Sequence, residues 1–260
     1  MTTMSHNVGH VTPDNFSVAV GLGHHRGWRV LRKFAMNPDV AGTEQVWPPG
    51  TIQVLPTTAG AVSVVSDSAA DVMTSGTGAW TCRVWGLDAN YEEINETVEL
   101  NGTTPVVTTL SFLRVFRAYA VLAGTGGVNA GNLSMSIGGD LQAYIEQDEG
   151  QTHISQYTVP AGHVAVLNYY TAMSGRVGNA DLAVRLQIKR NGESWRTFSD
   201  TFPYEGSFTL ARPLIILEEK TDVRALVVTD GVNNNVAIEW SGYLVEDMFY
   251  LGDERGTVAP

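Results

Sequence analysis

Between residues 79 and 121 the chain is a train of short segments in which apolar and polar residues alternate, broken by turn formers such as Gly86, Asp88, Asn90 and Asn101-Gly102. A period of two sends successive side chains to opposite faces of a strand, so each segment has one apolar face that another layer must cover. Helical bundles need a period near 3.6 and are excluded for this stretch. The same alternation returns further on, where Leu182, Val184, Leu186 and Ile188 share one face while Arg185, Gln187 and Lys189 share the other. Asn101-Gly102 and Asn191-Gly192 both read as two-residue hairpin turns, the first joining strands 91–100 and 103–109, the second closing the strand that begins at Asp181.

Further strands are expected at 53–55, 61–65, 79–85, 113–122, 133–137, 164–170, 195–202, 208–217, 223–229 and 236–245, while 140–147 fits a short helix or a strand. Many short strands separated by turn signals predict sandwiches or barrels. At 260 residues there is material for two domains. The polar stretch 146–153 interrupts the alternation and divides the chain. The expected organisation is therefore all-β: an N-terminal arm over residues 1–26, a first β-sandwich over 27–147 and a second, in tandem, over 148–260. Pro49-Gly50 and Pro160-Ala161-Gly162 open similar runs in the two halves, and 117–121 is echoed by 224–228. Two copies of one sandwich would give this, and so would the recurrence of common turns in any β protein.

The formal net charge is −11 and the sixteen Lys and Arg residues are dispersed, so the clustered positive face that neutralises phosphates is missing and no nucleic-acid partner is expected. The exception is the basic stretch 24–33, which fits either an acidic partner surface or a solvated first strand. A single cysteine, Cys82, has no disulfide partner within the chain and falls on an apolar strand face. No export signal and no membrane span is expected.

Residues that carry chemistry are sparse. The six histidines lack zinc-site spacing. Asp230 to Asn235 offers oxygen ligands without the regular calcium-loop pattern, and Gly124 to Gly131 lacks the Lys-Ser/Thr of a phosphate loop, so it reads as a flexible hairpin tip. Glu92 and Glu96 share a predicted strand face with Ile94, Val98 and Leu100; a glycosidase acid and base would look like this, as would a strand edge or a subunit contact balanced by Arg114 or Arg117. No catalytic residue, cofactor or metal is expected. Aromatic and basic residues at strand ends, namely Arg26, Trp28, Arg29, Trp47, Trp195 and Tyr204, are the candidate interface.

The run from Gly76-Thr-Gly-Ala-Trp80 through Gly86-Leu-Asp-Ala-Asn-Tyr-Glu-Glu to Thr104-Pro-Val106, continued by Phe112-Leu-Arg-Val115 and by Tyr157-Thr-Val-Pro-Ala-Gly162, resembles virion structural proteins of tailed bacteriophages from marine and fresh waters. The resemblance spans residues 66–229. It implies a jelly-roll-like, non-enzymatic particle component assembled in the host cytoplasm. Its expected role is head decoration (a cement protein) on the major capsid protein or other virion proteins, as a homo-oligomer and best as a trimer. A tail or fibre module that binds a host receptor or carbohydrate is the alternative. Neither nucleic acid nor membrane is an expected partner, and the polar N-terminal arm would order on a neighbouring subunit.

Overall fold

The computed structural model describes residues 13–175, 181–203, 206–230 and 234–247. A helix, α1 (Pro13–Gly21), precedes β1 (Trp28–Val40), β2 (Thr43–Gln45), β3 (Gly60–Ser66), β4 (Ala79–Leu87), β5 (Glu93–Glu99), β6 (Val106–Phe112), β7 (Arg114–Ala123), β8 (Leu133–Ile137) and β9 (Asp140–Ile145). There follow β10 (Tyr157–Thr158), β11 (His163–Gly175), β12 (Leu182–Lys189), β13 (Arg196–Thr201), β14 (Gly206–Leu217), β15 (Asp222–Thr229) and β16 (Asn234–Glu246). All strand pairs are antiparallel. Among the described residues no helix is long and apolar enough to cross a membrane.

Four sheets enclose two separate cores. One core lies between the sheet β1-β16-β11-β14 and the sheet β10-β15-β12-β13, to which β2 adds beside β15. It is filled by Ala35, Leu167, Tyr170, Leu186, Val223, Val227, Ile238 and Trp240. The other lies between β6-β3-β8-β9 and β5-β4-β7, with Val64, Val84, Phe112, Leu133, Met135 and Ile145 inside. Cys82 belongs to this second core, and burial pushes its thiol up to about 12, against a lowering by the Tyr119 backbone, so it packs as an inert small hydrophobe.

The two sandwiches are nested and not in tandem. β1 was expected in the first sandwich, yet it pairs with β16 from Trp28↔Val245 to Asn37↔Val236, and β2 pairs with β15. The strands β3 to β9 form an inner sandwich inserted between β2 and β10, and the outer sandwich is built from both ends of the chain. The boundary at 27 fails because alternation tells a strand which face to bury but not which distant strand completes its ladder.

Other expectations are corrected for the same reason. Asn101-Gly102 is no hairpin: β5 pairs with β4 and β6 with β3, so the turn is a corner between the facing sheets, with Gly102 at φ 58° closing on Ala69. Asn191-Gly192 does lie in the hairpin of β12 and β13. Residues 53–55 are not a strand, although Gln53 is buried and hydrogen-bonded to Gln45 and to the Gln142 carbonyl. The Gly124 to Gly131 loop is held tightly: Gly124 and Gly126 donate to the carbonyls of Gly78 and Thr77, and the buried Asp71 carboxylate accepts from Ala130 at 2.8 Å, Gly131 at 2.9 Å and Ala79 at 2.7 Å. The arm expected over 1–26 is in part a docked helix. Phe16 and Val20 of α1 cover Trp28, Val166, Tyr243 and Val245 on the outer face of the β1 sheet, and residues 1–12 lie outside the described region.

Candidate functional site: a basic cleft between the sandwiches

The sandwiches are joined by a buried ion pair. Arg114 opens β7 of the inner sandwich and meets Asp222 at the start of β15 in fork geometry, Nε to Oδ1 at 3.0 Å and Nη2 to Oδ2 at 3.2 Å. The remaining guanidinium nitrogen donates to the carbonyls of Pro56 and Leu113 at 2.7 and 2.9 Å, and the Thr158 hydroxyl donates to Asp222 at 2.6 Å. Such a charge pair tolerates burial because nearly every polar atom is satisfied. At the edge of the joint Arg29 pairs with Glu93 across the two sandwiches.

Three residues after Arg114, β7 presents Arg117 to a cleft of about 370 Å³ that is also lined by Arg32, Lys33 and Phe34 of β1, Glu239 of β16, and Gln151, Thr152 and His153. Lys33 occupies an inward position of β1, between Leu31 and Ala35, but β1 is an edge strand. Its amine therefore reaches sideways to the inner sandwich and donates to the Phe116 carbonyl at 2.5 Å. Arg32 pairs with Glu239 at 2.6 Å, the His153 ring packs edge-on to Phe34 at 5.3 Å, and His153 Nε2 lies 3.7 Å from Glu149. Arg117 stacks on the Tyr119 ring at 5.2 Å. Burial first, and the Arg117 charge second, bring the Lys33 amine down to about 7.

This lowering has a defined consequence for stability. Between about pH 7 and 10.5 the unfolded chain binds a proton at Lys33 that the folded chain does not, so stability rises with pH across that window, and the penalty is complete below it. The stability difference between Lys33→Met and the wild type, followed by urea unfolding, is expected to shrink as pH rises from 7 to 10. A constant or growing difference would contradict the burial of the charge.

The residues singled out in the sequence do not converge here. Trp47 is 1% exposed with its indole N–H on the Thr51 carbonyl, so it is a core residue and not part of an interface. Its position next to Pro48-Pro49 resembles a surface turn, and only the tertiary packing buries it. Arg29 is engaged by Glu93, and Trp28 packs under α1 against Phe16 and Tyr243. Trp195 is half-buried, with Arg224 stacked at 3.9 Å on its ring. Arg26 is exposed in the turn between α1 and β1, and Tyr204 lies outside the described residues. Glu92 is exposed, whereas Glu96 accepts from the N–H groups of Thr109 and Leu110 at 2.9 and 2.8 Å. Burial works to raise the Glu96 carboxyl, but these backbone donors and the Thr109 hydroxyl outweigh it and hold the group below its ordinary value. Glu96 thus ties β5 to β6 across the edge of the inner sandwich. Arg114 takes Asp222, not either glutamate, as its countercharge. Among the described residues no three His, Cys, Asp or Glu side chains gather as a metal site.

The cleft residues Lys33, Arg117 and His153 were not grouped by sequence reasoning. One signal was present: a lysine at an inward position of an alternating strand must find a polar exit.

No family model matches the chain, and no curated protein matches it. Among solved structures, that of infectious bursal disease virus Gx strain aligns with 86% of this chain and 73% of its own at 10% identity and a TM-score of 0.25. The crystal structure of the infectious bursal disease virus VP2 subviral particle aligns with 86% and 74% at 9% identity and a TM-score of 0.26. Both scores are too low to define a shared fold.

Proposed function

We propose that the chain is a non-enzymatic virion structural protein of a tailed bacteriophage, a head decoration protein with jelly-roll-like sandwiches that binds the capsid lattice as a homotrimer. The observation that carries this reading is the pairing of a locked two-sandwich body with apolar side chains left exposed on edge strands. Phe198 of edge strand β13 is 47% exposed and the adjoining Phe202 is 71% exposed; Val107 and Leu110 of edge strand β6 are 60% and 42% exposed. Open edges carrying large apolar groups are a liability for a free protein and a contact surface for an assembly component. The buried Arg114–Asp222 joint would carry load from one contact to the other without hinge motion. The segment with the phage resemblance builds β4 and β5 and the Asp88 turn, in which the Asp88 carboxylate accepts from Asn90 and Glu92.

Mass spectrometry and cryo-electron microscopy of purified particles test the reading. The protein is expected on the head surface around a local threefold axis, and a Phe198→Asp/Phe202→Asp variant is expected to lose at least about tenfold in incorporation while remaining folded. Absence from particles, or unchanged incorporation, would refute it.

A further inference from the structure

Within the cleft two of the basic side chains have carboxylates beside them and two do not. Arg32 is matched by Glu239, and His153 lies beside Glu149. Lys33 sets its ammonium against neutral groups of Phe116, the carbonyl and the ring face at 6.0 Å, and the contact made by Arg117 is the face of Tyr119. An ammonium keeps further donors after one bond, and a guanidinium stacked on a ring keeps its in-plane N–H fork free to point elsewhere. The two like charges lie close enough to disfavour one another, and they do so in a chain whose net charge is −11. A cavity of about 370 Å³ has room for a small group.

We propose that this cleft is a receptor for a side-chain carboxylate of an acidic peptide segment, which seats between Arg117 and Lys33. A carboxylate accepts the guanidinium fork through both oxygens while one oxygen takes the ammonium. Its single charge suits a site that already carries Glu239, with Glu149 beside His153, better than a dianionic phosphate would. Gln151 and Thr152 line the same cleft and supply polar groups for the peptide backbone.

Seating an anion beside Lys33 favours its protonated form, so binding takes up a proton and weakens as pH rises above about 7. The other titratable and charged groups lining the cleft are Arg32, Arg117, His153 and Glu239, with Glu149 beside His153. His153 is the imidazole among them, and any contribution from it is removed by His153→Gln.

Calorimetric titration of the full chain at low salt, with the blocked peptide acetyl-Gly-Glu-Asp-Gly-amide, glutarate and inorganic phosphate as probes, tests the assignment. The peptide is expected to bind more tightly than glutarate or phosphate. Its affinity is expected to fall about tenfold in Arg117→Ala and in Lys33→Met, and about tenfold in the wild type between pH 6 and pH 9. The pH dependence should persist in His153→Gln and vanish in Lys33→Met. Arg117 is exposed, so its variant remains informative if Lys33→Met does not fold. Absence of peptide binding, equal binding by both variants, or tighter binding of phosphate or glutarate would each overturn the proposal. The result is independent of whether the protein is found on particles.

Discussion

Replacing Asp222 by Ala is expected to lower the unfolding free energy by about 4 kcal/mol, because it strands a buried guanidinium instead of merely deleting a contact. Arg114 keeps its bonds to the carbonyls of Pro56 and Leu113 but loses both charge-assisted bonds to its one charged partner, and the Thr158 hydroxyl loses its acceptor. Arg114→Met alone should be nearly as harmful, since it leaves the carboxylate buried. The double variant Arg114→Met/Asp222→Leu should recover much of the loss, because the pair offsets its own desolvation more than it adds to stability. Urea unfolding of the wild type, Arg114→Met, Asp222→Leu and the double variant forms a double-mutant cycle, and a loss below about 1 kcal/mol for Asp222→Ala would mean that the joint is wet and the sandwiches are not locked.

Gly86→Ala is expected to be almost as damaging, by about 3 kcal/mol. A Cβ on Gly86 would lie 1.8 Å from the Arg114 carbonyl oxygen and 2.8 Å from the Phe112 ring, at the register shift where β4 meets β7. A backbone oxygen cannot rotate away as a side chain does, so β7 must retreat and take Arg114 with it. The substitution therefore acts on the same joint, and its effect should be less than additive with that of Asp222→Ala. Full additivity in the unfolding data would separate the two features.

Gly86 also marks how far the sequence could be read. Its position between alternating Trp80 to Trp85 and the Asp88 turn suggested the end of a strand, yet β4 continues through Leu87 because a neighbour approaches too closely for a side chain. Strands with one clean apolar face, such as β8 and β12, were legible, because burial and period agree there. Pairing was not. Nothing local in residues 28–40 selects β16, and the Asn101-Gly102 signal is the same for a hairpin as for a corner between sheets. α1 was missed because its apolar contact with the sheet rests, among the described side chains, on Phe16 and Val20, too few for a visible helical period. The cleft was hidden more deeply: its basic residues come from β1, β7 and the segment before β10, which only the nested topology brings together.

The nesting also sets an order of events during synthesis. Every pairing in the inner sandwich joins strands between Gly60 and Ile145, so this unit can close on contacts that have already left the ribosome. β1 emerges earlier still but waits for β16, the last strand among the described residues, because Trp28 needs Val245. Until then the chain carries a finished inner body and an open outer sheet. Closing that sheet is also the step that assembles Lys33, Glu239 and Arg117 around one cleft, so the charged site comes into being only once β16 has joined β1.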